Sequence, residues 1–228
     1  MIVAKKITVL LAEDHVVVRQ GLCSLLTVDG NFTIVGEART GRQAVKLAQA
    51  LRPQVILMDI AMPVLNGLEA TKQILSTDPS ARVLILSAYS DDEYILRSRA
   101  AGAIGFLEKQ TSAEILLKAI HEAAKGNVFF SPTVAKRLHK TQMKRLDRNG
   151  LPKVKGASLT SREVEVLQLI AEGAANRQIG DELGISIKTV EKHRQHLMDK
   201  LGIHDIAGLT RYAISAGIIE NRVQLRIL

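Results

Sequence analysis

Five short apolar runs within the first 125 residues constrain the fold more than any other feature of this sequence. Amphipathic stretches with helical spacing separate the runs, and polar residues bound each of them. Apolar runs of this length are typical of buried parallel strands, and strands that alternate with helices form a parallel sheet with helices on both faces. We therefore predict a doubly wound α/β domain with a five-stranded parallel sheet. The predicted strands are residues 7–12, 32–36, 54–59, 83–87 and 104–107.

Chemically active side chains follow four of these runs, at or just after the point where each predicted strand ends. Because an open parallel sheet binds ligands outside the carboxyl ends of its strands, we expect these side chains to meet at one edge. They provide three carboxylates, one hydroxyl and one amine: Glu13, Asp14, Asp59, Ser87 and Lys109. This set of groups is suited to moving a phosphoryl group onto a carboxylate.

The three carboxylates would repel one another without a cation. Clustered oxygen ligands suit Mg²⁺, which binds few carboxylates and keeps waters for phosphate oxygens, and the backbone carbonyl of Ala61 is a candidate further ligand. A carboxylate nucleophile such as Asp59 forms an aspartyl phosphate. Mg²⁺ and the Lys109 ammonium would then offset charge on the transferring oxygens, while Ser87 would hydrogen-bond the phosphoryl group.

The rest of the chain is predicted to be helical, after a basic connection. Ser131 can cap a connecting helix over residues 131–146, and the segment that follows indicates a linker. Residues 126–155 hold eight basic residues and one acid, which fits either a nucleic-acid contact or a solvated linker. We predict an α/β domain, a connection of helix and basic linker, and an all-helical domain, at residues 1–125, 126–158 and 159–228.

Composition excludes several classes of protein. A hydrophobic content of 46% is typical of a globular chain, and no apolar stretch reaches the roughly 18 residues of a membrane span. The first residues lack the order of a signal peptide, and the single Cys23 cannot form an internal disulfide. We therefore expect a cytoplasmic protein without a membrane partner. Nucleotide binding is not expected, because neither glycine-rich phosphate motif occurs.

Residues 7–125 resemble a two-component receiver domain, which has a flavodoxin-like fold. The resemblance rests on the acidic pair, the hydroxyl and the lysine before a helix, together with the motif positions Asp59–Pro63 and Gly67. It implies that Asp59 accepts a phosphoryl group from a sensor histidine kinase. It also implies that Phe106, three residues before Lys109, is the switch aromatic.

Three positions take a variant of the receiver pattern. Glu13 stands where Asp is more common in the family, and Ser87 and Phe106 stand where Thr and Tyr are common. These variants preserve the chemistry, although Phe106 has no hydroxyl to hydrogen-bond in an active state. A core ring is compatible with the switch role, so both interpretations of Phe106 stay open.

Residues 159–217 resemble the LuxR-type helix-turn-helix of the NarL/FixJ family of response regulators. Four segments match: Leu159–Leu167, Asn176–Gly180, Ile185–His193 and Lys200–Ile203. The resemblance implies that the third helix of this domain lies in the major groove and presents exposed side chains to base edges. The residues expected to contact DNA are Arg177, Lys188, Thr189, Glu191, Lys192, Arg194 and Gln195.

Two features of this domain have alternative interpretations. Glu191 stands where Lys is common, and its carboxylate either accepts a hydrogen bond from a cytosine amino group or is merely tolerated near DNA. The fourth helix is a candidate dimer contact, because paired half-sites need two recognition helices, but core packing is an equal alternative. Its residues are Ile206, Leu209, Thr210 and Ala213.

The combined resemblances imply a phosphorylation-activated, DNA-binding transcription regulator. Its expected partners are a sensor histidine kinase, promoter double-stranded DNA, RNA polymerase as a candidate, and a second copy of the chain on phosphorylation or DNA binding. We expect no enzyme activity apart from Mg²⁺-dependent self-phosphorylation and self-dephosphorylation at Asp59. Two alternatives are a phosphohydrolase, disfavoured because Ala61 replaces the second aspartate that such enzymes need, and a receiver that only dimerises, disfavoured by the intact acids.

Overall fold

The computed structural model describes residues 6–88, 92–131, 134 and 159–219. The chain divides into two compact units, Met1–Lys153 and Val154–Leu228. No helix within the described ranges is long and apolar enough to cross a membrane.

The described part of the first unit contains a parallel sheet of six strands in the order β2-β1-β3-β4-β5-β6. Its strands are β1 (Ile7–Ala12), β2 (Phe32–Ala38), β3 (Val55–Asp59), β4 (Val83–Ser87), β5 (Gly105–Glu108) and β6 (Phe129–Phe130). Every residue of β3 and β4 is buried, as expected for strands that are covered on both faces. The prediction of a parallel, doubly wound sheet is therefore confirmed.

The prediction of five strands is wrong by one, because the sequence does not reveal β6. Phe129 and Phe130 pair in parallel with Gly105 and Phe106 of β5. Two consecutive apolar residues give no periodic or run-length signal, so only the neighbouring strand makes them part of a sheet. The five predicted strands all form, with ends that differ from the predicted ones by at most two residues.

Helices cover both faces of the sheet in the described part of the first unit. They are α1 (Val16–Asp29), α2 (Gly41–Leu51), α3 (Gly67–Thr77), α4 (Asp92–Ala100) and α5 (Ala113–Ala124). One core cluster joins Leu26 of α1 and Ile120 of α5 with Leu11 of β1. The other joins Ala48 of α2 with Leu10, the adjacent residue of β1. Successive strand residues point to opposite faces, so each strand contributes to both cores.

The start of the predicted connecting helix belongs to the core of the first unit. Ser131 Oγ accepts a hydrogen bond from Val134 N at 3.3 Å, and Val134 is fully buried in the cluster that contains Phe106. The rest of the predicted connecting helix and the basic linker lie outside the described residues. The domain boundaries at residues 125 and 158 therefore stay predictions.

The described part of the second unit consists of four helices. They are α6 (Ser161–Ala171), α7 (Asn176–Leu183), α8 (Ile187–Leu201) and α9 (Ile206–Ser215). Thr160 and Glu163 form the predicted capping box at the start of α6. Gly184 ends α7 at φ 63° and Gly202 ends α8 at φ 64°, in the left-handed region that glycine adopts without strain. These caps fix the lengths of α7 and α8 and the turn between them.

Candidate functional site

The predicted polar side chains meet at the carboxyl edge of the sheet. Glu13 follows β1, Asp59 ends β3, and Lys109 follows β5. The Lys109 Nζ atom lies 2.8 Å from Glu13 Oε2 and 3.1 Å from Asp59 Oδ1. One ammonium therefore bridges two carboxylates that lie far apart in the sequence.

Asp59 is a buried carboxyl group with acidic neighbours and is only 3% exposed. Burial raises the pKa of Asp59 to about 6, and the charge of Glu13 adds to this rise, while Lys109 acts in the opposite direction. The pKa stays above its ordinary value even though the ammonium is in contact. An ionised Asp59 is thus held in the fold at an electrostatic cost, which a bound cation would reduce.

Lys109 is half-buried, and its acidic neighbours raise its pKa. Burial lowers the pKa of Lys109, yet the charge of Asp59 and the contacts with Glu13 outweigh this effect and raise the pKa overall. The amine is therefore protonated at neutral pH, and Nζ donates a hydrogen bond to Glu13 Oε1 at 3.0 Å. It is placed to offset negative charge that develops on a group attached to Asp59.

The residues of this edge fit a divalent cation. Ligand atoms of Glu13, Asp14, His15 and Asp59 all lie within 4.8 Å of one another. Asp59 Oδ2 is buried without a hydrogen-bond partner, a condition that a cation or a phosphoryl group would relieve. Carboxylate oxygens are ligands that Mg²⁺ prefers. Ala61 lies half-buried in the bend after β3, and its carbonyl as a further ligand stays a prediction.

Ser87 and Phe106 lie on neighbouring strands, and both are buried. Ser87 is 1% exposed, and its carbonyl accepts a hydrogen bond from Lys109 N at 2.7 Å. This bond fixes the start of the segment that carries Lys109 beside the end of β4. Phe106 is fully buried in the cluster that contains Val134, so its ring is a core ring in this structure. The phosphoryl contact of Ser87 and the switch role of Phe106 stay predictions.

Gly67 allows α3 to begin directly against the site. Its amide donates a hydrogen bond to Ile60 O at 2.8 Å, and a Cβ added to Gly67 would lie 1.9 Å from the carbonyl oxygen of Asp59. No side chain fits at that distance. Asn66 then caps α3 with a side chain that accepts from Glu69 N at 2.9 Å. The helix start therefore fixes the backbone on both sides of the bend that follows Asp59.

Sequence reasoning misses two residues of this edge, His15 and Arg19. His15 Nδ1 lies 2.9 Å from Asp14 Oδ1 and 3.1 Å from Glu13 Oε1. Arg19 is 3% exposed, and it donates from Nη1 to Glu13 O at 2.8 Å and from Nε to Glu37 Oε2 at 3.0 Å. The position of His15 directly after the acids is a usable signal. Arg19 gives no such signal, because a buried arginine resembles a solvated helix residue in sequence.

Arg19→Met is expected to loosen the loop that carries the acids. The change keeps an unbranched apolar side chain but removes the donors to Glu13 O and Glu37, and an unmade buried hydrogen bond costs roughly 1–3 kcal/mol. We expect the free energy of unfolding to fall by that amount in urea denaturation, and calorimetry to show weaker Mg²⁺ binding. Arg39→Met, at an exposed arginine, is the matched control. Lost stability with unchanged Mg²⁺ affinity would limit Arg19 to a structural role.

The second unit forms a helix-turn-helix from α7 and α8. A Cβ added to Gly180 would lie 2.8 Å from Ile185 O, so the turn packs closely on α7. Ser186 caps α8, and its Oγ accepts a hydrogen bond from Thr189 N at 3.1 Å. Val190 and Leu197 are fully buried, as the helical spacing predicts. One face of α8 is therefore fixed in the core, and the opposite face is presented to solvent.

The exposed surface of this helix-turn-helix contains most of the residues predicted to bind DNA. Residues three and four apart in a helix share one side, which is the spacing of the predicted set on α8. The exposed members are Arg177, Lys188, Glu191, Lys192 and Gln195, and the half-buried members are Thr189 and Arg194. The surface is thus accessible to a duplex, and its contacts with DNA stay a prediction.

An ion pair joins the end of α8 to the start of α6. Lys200 Nζ, in the last turn of α8, donates to Glu163 Oε2 at 2.8 Å in the first turn of α6. Burial raises the pKa of Glu163, but hydrogen bonds from Lys200 and Thr160 outweigh this and lower it overall. The orientation of α8 is therefore tied to the start of α6.

The candidate dimer-contact residues of α9 lie partly in the core and partly at the surface. Leu209 and Ala213 are fully buried, so core packing accounts for these two residues of α9. Ile206 is 55% exposed and Thr210 is half-buried. Ile206 is therefore the most exposed of the four candidates, and the dimer contact stays a prediction.

Two family models match the chain. The model for the response regulator receiver domain matches residues 9–121, and the model for bacterial regulatory proteins of the luxR family matches residues 157–213. The first match covers the strands and helices that form the acidic edge, and the second covers the helix-turn-helix. Each unit of the structure thus has its own match.

Similar proteins cover nearly the whole chain. The transcriptional regulatory protein LiaR of Bacillus subtilis is 39% identical over 207 residues, covering 91% of this chain and 96% of LiaR. YdfI of the same organism is 37% identical over 211 residues, covering 92% and 97%. A solved structure of two RcsB dimers bound to two parallel DNAs is similar to this chain with a TM-score of 0.56 and a sequence identity of 26%. The match covers 92% of this chain and 98% of the RcsB chain. The chain therefore belongs to the NarL/FixJ family of response regulators, the transcription regulators of two-component systems that join a receiver domain to a LuxR-type DNA-binding domain.

Proposed function

We propose that phosphorylation of Asp59 switches this regulator and that α8 reads promoter DNA. The observation that carries the proposal is the Asp59 carboxylate, which is buried beside Lys109 at 3.1 Å and keeps Oδ2 without a hydrogen-bond partner. That oxygen is placed to attack the phosphorus of a phosphohistidine on a sensor histidine kinase. The bond between phosphorus and the histidine nitrogen breaks as the bond to Asp59 forms.

The other residues of the pocket position the phosphoryl group and offset its charge. The proposed Mg²⁺ ligands are Glu13, Asp14, Asp59 and the backbone carbonyl of Ala61. When bound, Mg²⁺ would supply positive charge to the transferring oxygens. Lys109 would move from the bare carboxylate to the phosphoryl oxygens, and Ser87 would donate a hydrogen bond to them. Self-phosphorylation from a small phosphodonor and self-dephosphorylation would use the same residues.

Phe106 is proposed to couple the pocket to the segment that follows the sheet. It lies on β5, which leads directly to Lys109, and it shares a core cluster with Val134. A change in the position of Lys109 on phosphorylation would therefore reach residues that precede the linker through a packed side chain. This is the proposed route by which phosphorylation alters DNA binding.

The DNA-binding role is supported by the exposed face of the helix-turn-helix. Phosphate contacts position such a domain and base contacts specify the sequence, so both kinds are expected. The proposed contacts are Arg177, Lys188, Thr189, Glu191, Lys192, Arg194 and Gln195. A homodimer that forms on phosphorylation or DNA binding would present two copies of this face, with Ile206 at the contact. We also propose RNA polymerase as a candidate partner and the cytoplasm as the location of the protein.

Labelling with acetyl phosphate in the presence of Mg²⁺ tests the proposed function. The expected result is stable, stoichiometric phospho-Asp59, together with tighter binding to a DNA site selected from a random pool with the phosphorylated protein. Rapid turnover of the label would instead indicate a phosphohydrolase. Absence of label would indicate a receiver that only dimerises, and either result would overturn the switch.

Lys192→Ala is expected to weaken specific DNA binding and to relax the preference at one base position. A side chain that reaches base edges contributes roughly 1–3 kcal/mol, which is the expected loss on the matched site. Fluorescence anisotropy on a matched and a mismatched site, at two salt concentrations, measures it. The control is Lys153→Ala in the basic linker, which should weaken binding evenly and flatten the salt dependence. Identical behaviour of both variants would show that Lys192 does not read bases.

The same assay decides between the two interpretations of Glu191. If the carboxylate accepts from cytosine, Glu191→Ala should change which base is preferred. If the charge is merely tolerated, Glu191→Lys should raise the affinity for all sequences alike and steepen the salt dependence.

A further inference from the structure

We propose that His15 is a direct ligand of the cation site and gives this receiver a preference for a transition-metal dication such as Co²⁺ over Mg²⁺. The inference rests on the cation site of the proposed function. It adds a nitrogen ligand to a site that the strand-end acids alone would make purely oxygen-based.

His15 is fixed at this site by its backbone as well as by its ring. It is the residue directly before α1, in an extended conformation with φ −72° and ψ 115°. Its amide donates to Glu13 Oε1 at 3.1 Å, which holds the histidine against the acid. The side chain is 50% exposed, so the imidazole lies between the acids and solvent.

The distances around the ring match those between ligands that share one ion. Two neighbouring ligands of an octahedral ion, with bonds of about 2.1 Å, lie about 3.0 Å apart. His15 Nδ1 lies 2.9 Å from Asp14 Oδ1 and 3.1 Å from Glu13 Oε1. Asp59 belongs to the same group of ligand atoms, and its buried Oδ2 has no hydrogen-bond partner. The separations between Nδ1 and these two oxygens are thus those expected for atoms that bind the same ion. The carboxylate of Asp59 lies close to them.

Lys109 contacts two of the three acids of this group, Glu13 and Asp59. Its Nζ lies 3.0 Å from Glu13 Oε1 and 2.8 Å from Glu13 Oε2, so the ammonium contacts both oxygens of this carboxylate. The ligand atoms that lie together are those of Glu13, Asp14, His15 and Asp59, which are three carboxylates and one imidazole. This mixed set of oxygen and nitrogen differs from the oxygen ligands that Mg²⁺ prefers.

An imidazole ligand changes the order of metal affinities. Mg²⁺ prefers oxygen and gains little from a nitrogen ligand, whereas the later divalent ions bind imidazole well and bind mixed sites more tightly in general. If His15 only pairs electrostatically with the acids, it would affect all divalent ions alike. The preference for one class of ion therefore separates ligation from ion pairing.

Calorimetric titration of the full-length protein with Mg²⁺ and with Co²⁺ tests the inference. His15→Gln should weaken Co²⁺ binding about tenfold or more and change Mg²⁺ affinity less than about twofold. The matched control is His204→Gln, at an exposed histidine of the second unit, which should change neither affinity. Displacement of Co²⁺ by Mg²⁺ should show that both ions use one site.

Pulsed electron paramagnetic resonance of the Mn²⁺-loaded protein gives a second readout. Modulation from a coordinated nitrogen should be present in the wild type and absent in His15→Gln. Equal loss of affinity for both ions, unchanged Co²⁺ affinity, or nitrogen modulation that persists in the variant would overturn the role of His15. Failure of the wild type to bind either Mg²⁺ or Co²⁺ would overturn the cation site itself, and with it the pocket of the proposed function.

Discussion

Asp59→Asn is expected to abolish labelling by acetyl phosphate while the fold is retained. The amide has nearly the shape of the carboxylate but is not a nucleophile, and Asp59 is the carboxylate that contacts Lys109 at the end of β3. Mass spectrometry of the acylphosphate and circular dichroism measure the two outcomes. Asp29→Asn, at an exposed aspartate in the last turn of α1, is the matched control and should label normally. Normal incorporation at another residue of the Asp59 variant would refute the assignment.

The free energy of unfolding of the metal-free protein is expected to contain a term that falls as the pH rises from about 4 to about 7. The pKa of Asp59 is raised from 3.8 to about 6 in the folded protein. Between these values the folded state holds a proton that the unfolded state has lost, so folding is favoured on the acid side. The contribution is fully present below the unfolded pKa and is lost as the pH passes through about 6. Its full size is about 3 kcal/mol.

Comparison with Asp59→Asn isolates this contribution from those of the other titrating groups. The variant cannot ionise at this position, so its stability advantage over the wild type should grow by about 3 kcal/mol between pH 4 and pH 7. Urea denaturation at several pH values measures the difference. Saturating Mg²⁺ should reduce it, because an ion that binds the folded carboxylates stabilises the wild type. A difference that does not change with pH would contradict the electrostatic cost of the buried Asp59.

Much of the fold could be predicted because its signals are local. The buried run Val83–Ser87 is a strand in sequence and in structure, and the capping box of Thr160 and Glu163 is complete within one helical turn. The strand Phe129–Phe130 could not be predicted, since its identity depends on backbone pairing with β5. Local patterns specify elements, whereas a short edge strand is specified only by its neighbour.

The same distinction applies to the site. Asp59 and Lys109 could be placed together because each lies at the end of a parallel strand, and a sheet brings such ends to one edge. Arg19 could not be assigned to the site from the sequence. Its burial depends on contacts with Glu13 O and with Glu37 that only the folded chain creates. The buried side of α8 was predictable at Val190 and Leu197, where the period of the helix is enough.

The contacts of Glu163 determine where an isolated DNA-binding fragment can begin. This carboxylate accepts from Thr160 N at 2.7 Å and from Lys200 Nζ at 2.8 Å, both through Oε2. A fragment that starts at Ser161 would contain the four described helices of the second unit but would lose the Thr160 amide that orients Glu163, and with it the alignment of the acceptor for Lys200. The practical N-terminal boundary is therefore set by a hydrogen bond that acts on the far end of α8.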